Sequence, residues 1–144
     1  MLIGNYTVRI DEKGRFKLPA AYRRHIEEHY GNDFYVTSLT GECAMLYPMK
    51  VWLAQAEKLR PRGTNDAAVK KYLDRTSFYG QLAEMDNQGR LLIHPRLRTK
   101  AELTGDVAVL GYLEYLEVWD LRRFEERLAA EPYTPEDAAY IASL

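Results

Sequence analysis

The stretch DEKGRFKLP at residues 11–19 returns in altered form as DNQGRLLIH at residues 86–94. Both begin with Asp, place Gly and Arg three and four residues later, and continue with β-forming residues. Asp suits the first position of a turn because its carboxylate accepts hydrogen bonds from backbone N–H groups, and Gly suits positions where φ is positive. The sequence therefore predicts two equivalent turns, one in each half of the chain, each followed at once by an arginine.

The segments around each turn also correspond. In the first half, alternation over residues 6–18 predicts two strands that pair as a β-hairpin, followed by a helix and two further strands. The second half predicts the same β-β-α-β-β order. Pro19 and Pro95 open the two helices but differ by one position in the alignment, so we expect the helix starts to be offset by one residue. Further helices are predicted at residues 49–60, 65–79 and 120–130, and from Thr134 onward.

Two copies of one unit are too few for a repeat solenoid and indicate a duplicated α+β unit that folds as a pseudo-symmetric pair. Hydrophobic residues make up 47% and charged residues 28% of the 144-residue chain, which is typical of globular proteins. We expect two small domains and two helical segments. The predicted boundaries are 5–50 for the first domain, 51–79 for a helical connection, 80–123 for the second domain and 124–144 for a C-terminal helical segment.

Charge is distributed unevenly along a chain whose net charge is −1. Residues 9–24 hold six basic and two acidic side chains, and residues 86–100 hold four basic and one acidic. Residues 114–144 hold eight acidic and three basic side chains. The two copies of the repeated stretch are therefore the basic parts of a slightly acidic protein, as expected of a DNA-facing surface on an anion-repelling body. For any single charge, the alternative is a solvated surface position.

The sequence lacks the usual signals of export and membrane insertion. Its first residues do not have the basic start and long apolar run of a signal peptide, and no run approaches the roughly 18 apolar residues of a membrane span. The single cysteine, Cys43, excludes an internal disulfide and fits a reducing compartment. We therefore expect a cytoplasmic protein with no membrane partner.

Enzyme chemistry has two weak candidates. His25, Glu28 and His29 fit the H-x-x-E-H pattern of zinc hydrolases, because two histidines near one helical turn apart can reach one metal. The second copy has no such histidines, so a solvated helix end is the preferred interpretation. Cys43 lies in an apolar strand pattern and is predicted to be a packed thiol. We expect no enzyme activity, no cofactor and no small-molecule substrate.

The basic turns form the strongest functional pattern. A two-stranded β-ribbon fits the major groove of DNA and presents side chains to phosphates and base edges. Lys13 and Arg15 lie at the first turn and Arg90 at the second, and a guanidinium binds a phosphate or a guanine edge through two nitrogens. Asp11 and Asp86 are predicted to shape the turns or orient the arginines, because a carboxylate that faces phosphates is repelled.

The D-x-x-x-R motif occurs twice, and the chain resembles the MraZ family of bacterial transcriptional regulators in both copies. The resemblance extends over nearly the whole chain and includes the segments GRFKLPAAYR, GRLLIHPRLR, LYP and EVWD. The resemblance implies two SpoVT/AbrB-like domains that form a pseudo-two-fold β-barrel from swapped hairpins. It implies a ring-like homo-oligomer that binds repeated promoter boxes upstream of the division and cell-wall gene cluster. We expect the protein to be cytoplasmic and nucleoid-associated, and we expect its occupancy of the promoter to repress transcription. It also places four residues in the DNA-binding motif: Asp11, Arg15, Asp86 and Arg90.

An antitoxin-like role is the rival interpretation, because AbrB-like folds also serve as antitoxins that bind DNA and a toxin protein. The partner surface would then be the acidic C-terminal segment, with Glu131, Glu136 and Asp137. Thr134 and Pro135 predict the start of a helix in that segment, which argues against the extended tail that such a role would use.

Overall fold

The computed structural model describes all 144 residues, which form eight strands and six helices of an α+β fold. The strands are β1 (Asn5–Ile10), β2 (Arg15–Lys17), β3 (Asp33–Thr37), β4 (Ala44–Pro48), β5 (Gln81–Glu84), β6 (Arg90–Leu92), β7 (Gly105–Tyr112) and β8 (Tyr115–Asp120). The helices are α1 (Ala20–His29), α2 (Met49–Leu59), α3 (Ala67–Phe78), α4 (Pro95–Lys100), α5 (Leu121–Ala130) and α6 (Pro135–Ala142). The predicted α+β class is confirmed, and every predicted strand and helix is present.

Helices α1 and α4 begin at equivalent positions, because Ala20 and Pro95 stand at the same distance along the chain from the aspartates of their turns. The predicted offset between the helix starts is therefore wrong. Pro19 is the N-cap of α1 and not a residue of its first turn, and His94 is the N-cap of α4. Proline is tolerated at either place because a helix leaves its first backbone N–H groups without an internal partner.

The strands form a six-stranded antiparallel sheet in the order β1-β7-β8-β4-β3-β5 and a separate sheet of β2 with β6. Strand β1 lies along β7, and β5 lies along β3, so the first strand of each half pairs with the other half. The predicted hairpin over residues 6–18 is wrong, because a turn joins β1 to β2 but each strand forms its ladder elsewhere. Alternation fixes which face of a strand is buried, and it does not choose the neighbouring strand.

The strand order reads the same from both ends of the large sheet when each strand is exchanged for its counterpart in the other half. At the centre, β4 and β8 pair with Met45 opposite Glu117. In the small sheet, β2 and β6 pair with Phe16 opposite Leu91. Each pair joins two residues that occupy equivalent positions when the halves are aligned, so the strand pairing follows an approximate two-fold relation.

The large sheet is open, with β1 and β5 as its edges. The three-residue strands β2 and β6 pair only with each other, and they are called the ribbon below. The expected closed barrel is not found, because no ladder of hydrogen bonds connects the ribbon to either edge of the large sheet.

One cluster of 20 buried apolar residues connects the large sheet, the ribbon and helices α1 and α4. The ribbon contributes Phe16 and Leu91, each 1% exposed. Helix α1 contributes Ile26 and α4 contributes Leu97, and both side chains are fully buried. Since the cluster draws on both halves, the hydrophobic stabilisation of each half depends on the presence of the other.

A smaller cluster consists of Cys43, Met45, Tyr47 and Trp119. Cys43 is buried, and its sulfur lies 3.7 Å from Oε1 of Glu117. Burial, with the nearby Glu117 carboxylate, raises the pKa of the Cys43 thiol and disfavours the reactive thiolate. The prediction of a packed thiol is confirmed.

The helices differ in how much of their surface is covered. The hydroxyls of Tyr35 and Thr37 donate to the carbonyl oxygen of Thr76 at 2.8 and 2.7 Å, which attaches the end of α3 to β3. Helix α6 begins with a capping box formed by Thr134 and Asp137, but it buries none of its residues. No helix of the chain has both the length and the apolar character needed to cross a membrane.

Candidate nucleic-acid interface

The first turn is built around the carboxylate of Asp11. Its Oδ1 accepts hydrogen bonds from the backbone N–H groups of Lys13 and Arg15 at 3.0 and 2.9 Å, and its Oδ2 accepts one from Nε of Arg15 at 3.1 Å. Gly14 has a φ of +89°, in the region that favours glycine. A single carboxylate therefore fixes both the backbone of the loop and the direction of the arginine side chain.

The second turn repeats this arrangement around Asp86. Its Oδ1 accepts hydrogen bonds from the backbone N–H groups of Gln88 and Arg90, both at 2.9 Å, and its Oδ2 accepts one from Nε of Arg90 at 2.9 Å. Gly89 has a φ of +76°. The prediction that both aspartates shape the turns and orient the arginines is confirmed by these contacts.

The same hydrogen bonds keep both aspartates ionised. The backbone N–H of Arg15, followed in strength by its side chain, holds the pKa of Asp11 below its ordinary value of 3.8. The backbone N–H and side chain of Arg90 act in the same way on the pKa of Asp86. At neutral pH each turn therefore carries a carboxylate paired with a guanidinium.

The ribbon brings the two arginines onto one surface. Phe16 and Leu91 face the core, so the residues on either side of them point outward along β2 and β6. Arg15 pairs with Leu92, and Lys17 pairs with Arg90. Arg15 and Arg90 are therefore diagonal neighbours whose backbones lie about 7–8 Å apart. Three cationic side chains share this outer face with one exposed leucine.

The terminal nitrogens of Arg15 and Arg90 make no hydrogen bond within the chain, because each arginine meets its aspartate through Nε alone. Their side chains are 36% and 35% exposed. Lys13 is exposed at the tip of the first turn, and neither it nor Lys17 forms an ion pair. The donors on this surface are therefore free to bind an external acceptor.

The alternative zinc residues lie away from the ribbon, at the end of α1. The rings of His25 and His29 stack with their centroids 4.3 Å apart, and Nδ1 of His29 lies 2.9 Å from the carbonyl oxygen of His25. No group of three or more His, Cys, Asp or Glu side chains in the chain is arranged to hold a metal ion. These residues thus lack the third protein ligand that a catalytic zinc site uses.

Comparison with known proteins gives a consistent result. A family model described as "MraZ protein, putative antitoxin-like" matches residues 1–75 and 80–139. A protein from Acidobacterium capsulatum named transcriptional regulator MraZ is 44% identical over 142 residues, which are 99% of this chain and 97% of that protein. The chain belongs to the MraZ family. A second relative of that name, from Koribacter versatilis, is 41% identical over 100% of this chain and 99% of its own length.

The resemblance to the MraZ family inferred from the repeated motif is thereby confirmed. Both copies of the motif, at 11–15 and 86–90, fall inside the matched ranges. A more distant MraZ relative, from Thermomicrobium roseum, is 33% identical and also covers 100% of this chain. The family therefore accounts for the whole chain and not for one half of it.

Sequence reasoning missed three basic residues that the structure places at the turns and the ribbon of this MraZ-family chain. Lys17 lies opposite Arg90 across the ribbon, which only the exchange of strands reveals. Arg98 donates to the carbonyl oxygen of Lys13 in the first turn, and Arg23 donates to that of Asn87 in the second. A signal for the last two was present, because Arg23 and Arg98 are separated by the same interval as the two motifs.

Proposed function

We propose that this protein is a sequence-specific DNA-binding transcriptional regulator that acts as a repressor of the bacterial division and cell-wall gene cluster. The relatives named transcriptional regulators support the general role. The observation that carries the proposal is the pairing of β2 with β6, which places two aspartate-oriented arginines on the outer face of one ribbon. A two-stranded ribbon has the dimensions to enter the major groove.

Each arginine has a chemistry suited to that role. The aspartate holds Nε, so the planar guanidinium is fixed in direction while its terminal nitrogens stay available. Such a group binds two acceptors of a guanine edge or a phosphate at a smaller entropic cost than a freely rotating side chain. Asp11 and Asp86 act as supports for Arg15 and Arg90, and Lys13 adds a phosphate contact at the first turn.

We further propose that the fold is a duplicated SpoVT/AbrB-like unit, with domains at 5–50 and 80–123. The palindromic strand order and the exchange of β1 and β5 between halves support a duplicated origin. In this arrangement the ribbon lies on the approximate two-fold axis that relates the halves. The two DNA-binding turns of one chain are therefore equivalent in geometry but different in sequence.

One chain offers few phosphate contacts, so tight DNA binding is favoured by an assembly of several chains. We propose a ring-like homo-oligomer, cytoplasmic and associated with the nucleoid, that binds several promoter boxes at once. Linked contacts raise the overall affinity because binding of the second box becomes an intramolecular event. Exposed apolar side chains on α6, including Tyr140 and Ile141, fit a protein that associates with itself.

The central test compares R15A/R90A with R60A/R62A in gel-shift assays on DNA from upstream of the protein's own gene. Both variants remove two arginines, but Arg60 and Arg62 lie at the end of α2 and beyond it, away from the ribbon. We expect R15A/R90A to lose its preference for the boxes and R60A/R62A to bind like the unchanged protein. Equal binding by all three proteins would remove Arg15 and Arg90 from the interface.

The oligomeric part is tested separately with DNA that carries one, two or four boxes. Affinity that rises steeply with box number is expected of linked binding, and equal affinity for the three DNAs would contradict it. Light scattering coupled to size-exclusion chromatography gives the number of chains in the particle. A monomer under the conditions of the binding assay would contradict the ring.

The antitoxin-like alternative is not favoured by the C-terminal segment. It would use an extended tail, whereas Thr134 and Asp137 cap a regular helix there at hydrogen-bond distances of 3.1 and 3.0 Å. We therefore retain DNA binding as the single proposed function.

A further inference from the structure

Each turn has a gap at its glycine that an arginine from the opposite half fills. A Cβ added at Gly14 would overlap Nη1 of Arg98, which lies on α4. A Cβ added at Gly89 would lie 2.8 to 3.0 Å from the side chain of Arg23, which lies on α1. Both glycines therefore leave space for a guanidinium as well as allowing a positive φ.

The two arginines bond to the backbone of the turns they enter. Nη1 of Arg98 donates to the carbonyl oxygens of Lys13 at 2.8 Å and Ile93 at 3.1 Å. Nη2 of Arg23 donates to the carbonyl oxygen of Asn87 at 2.9 Å. Hydrogen bonds from a charged donor are stronger than those between neutral groups. Each turn is thus tied to the first helix of the other half.

Backbone hydrogen bonds also connect each turn to the opposite half. The backbone N–H of Ile93 donates to the carbonyl oxygen of Gly14 at 2.9 Å, and that of Leu18 donates to the carbonyl oxygen of Gly89 at 2.8 Å. Leu18 and Ile93 are counterparts in the two halves, as are the two glycines. The cross-connection is therefore a property of both turns and not a single chance contact.

We infer that Arg98 and Arg23 are positioning residues, each of which holds the DNA-binding turn of the opposite half in its working conformation. The inference rests on the proposed function, since it takes the two turns as the DNA contacts. It assigns these arginines to the protein's own backbone and not to DNA. In consequence, the conformation of Arg15 depends on the second half, and that of Arg90 depends on the first.

The hydrogen bonds explain why these arginines support the turns. Arg98 uses one terminal nitrogen for two carbonyl oxygens, and Arg23 pairs through Nε with Glu27 at 2.5 Å while Nη2 reaches Asn87. The side chain of Arg24, the neighbour of Arg23, makes no hydrogen bond or ion pair and is exposed. It provides a control with the same charge on the same helix.

The test measures hydrogen exchange of the turn amides in the full-length protein without DNA, for R98Q, R23Q and R24Q. Loss of charged hydrogen bonds is expected to speed exchange about tenfold or more. We expect R98Q to speed exchange at Gly14 and Arg15 only, and R23Q to speed it at Gly89 and Arg90 only. R24Q is expected to change neither turn.

This crossed pattern distinguishes positioning from a general loss of stability. Faster exchange at both turns in each variant, or at the turn of the mutated half, would overturn the inference. If R98Q does not fold, R98M keeps an unbranched side chain of similar length but has no hydrogen-bond donor, and the same crossed pattern is expected.

Gel shifts on the DNA upstream of the protein's own gene complete the test. We expect R98Q and R23Q each to weaken DNA binding about tenfold or more. The affinity of R24Q for the same DNA is expected to be much closer to that of the unchanged protein. Normal binding by R98Q and R23Q, where R15A/R90A fails to bind, would overturn the inference and leave the proposed function standing. Normal binding by R15A/R90A would instead overturn the proposed function. Weakened binding with unchanged exchange at both turns would indicate that these arginines contact DNA, which also overturns the inference.

Discussion

At the scale of single residues, the two turns share a design but differ in how tightly they are enclosed. A Cβ at Gly14 would lie 2.7 Å from the carbonyl oxygen of Ile93, a backbone atom that cannot move aside easily. The three atoms nearest to a Cβ at Gly89 all belong to the flexible side chain of Arg23. Gly31, with a φ of +88°, has nothing within 4 Å of such a Cβ. These three glycines separate the backbone cost of an added Cβ from its steric cost.

We expect Gly14→Ala to destabilise the protein most, Gly89→Ala less, and Gly31→Ala least. Each substitution carries the cost of about 1–2 kcal/mol for an L-residue in the left-handed region, and Gly14→Ala adds a clash with backbone. Thermal unfolding followed by circular dichroism measures the order. Equal losses for the three variants would show that the space at Gly14 has no energetic importance.

The lowered pKa values of the two aspartates predict that the stability of the fold depends on pH. Because the pKa of Asp11 and of Asp86 is lower in the folded protein than in the unfolded chain, the ionised carboxylates stabilise the fold above the unfolded value near 3.8. This stabilisation is lost as the pH falls below 3.8 and through the lower folded pKa. We expect D11N/D86N to be less stable than the unchanged protein in urea at pH 7, with the difference shrinking at pH 3. A difference that does not depend on pH would contradict the role of the charge.

Lys17 and Leu92 occupy equivalent positions on the outer face of the ribbon but differ in charge. If Lys17 contacts a phosphate, Lys17→Ala is expected to reduce the slope of log affinity against log salt concentration by roughly 1 per bound chain. Leu92→Lys is expected to increase it by a similar amount. Binding titrations over a range of salt concentrations give the slopes. Lys58→Ala, at an exposed position on α2, is the control and is expected to leave the slope unchanged.

At the scale of elements, the ribbon joins the halves through its inner face. Strands of three residues form few hydrogen bonds, so burial of Phe16 and Leu91 supplies much of what holds them in place. The outer face is then free to carry charge without loss of packing. Alternation along β2 and β6 thus separates stability from the proposed function.

Two adjacent leucines of β6 test this separation. Leu91 is 1% exposed and Leu92 is 47% exposed. We expect Leu91→Ala to lower the free energy of unfolding by about 2–5 kcal/mol, because it removes buried methyl groups and leaves a cavity. Leu92→Ala is expected to change it by no more than about 0.5 kcal/mol. Urea denaturation measures both, and similar effects would contradict the assignment of the two faces.

At the scale of the whole molecule, exchange of strands makes the halves interdependent. β1 completes the sheet beside β7, β5 completes it beside β3, and one cluster of 20 buried residues spans both halves. Separating the halves would therefore expose that cluster and break both ladders. The chain is expected to unfold as one cooperative unit even though its sequence consists of two related halves.

The two tryptophans report on this cooperativity. Trp52 lies on α2 and stacks on Tyr35, with ring centroids 4.5 Å apart, and Trp119 lies on β8. We expect W119F, which keeps Trp52, and W52F, which keeps Trp119, each to give a fluorescence transition that coincides with that protein's circular dichroism transition. Separate transitions within either variant would show that the chain does not unfold as one cooperative unit.

The local structure and the family could be predicted from the sequence alone. Turn chemistry is local, so Asp11 and Gly14, with their counterparts Asp86 and Gly89, were sufficient to predict both turns and the orientation of the arginines. Alternation, helical spacing and the residues that begin and end helices together predicted every strand and helix. The repeated motif and its surroundings indicated the MraZ family before any comparison.

The pairing of the strands depends on the folded chain and does not follow from local sequence patterns. A hairpin over residues 6–18 was the local expectation, and the chain instead pairs β1 with β7 and β2 with β6. Strand alternation is compatible with either arrangement, and the choice depends on burying Phe16 and Leu91 together in a core that both halves supply. That choice places Lys17 beside Arg90 and brings Arg98 and Arg23 into the opposite turns, because contacts between residues distant in sequence exist only once the chain has folded.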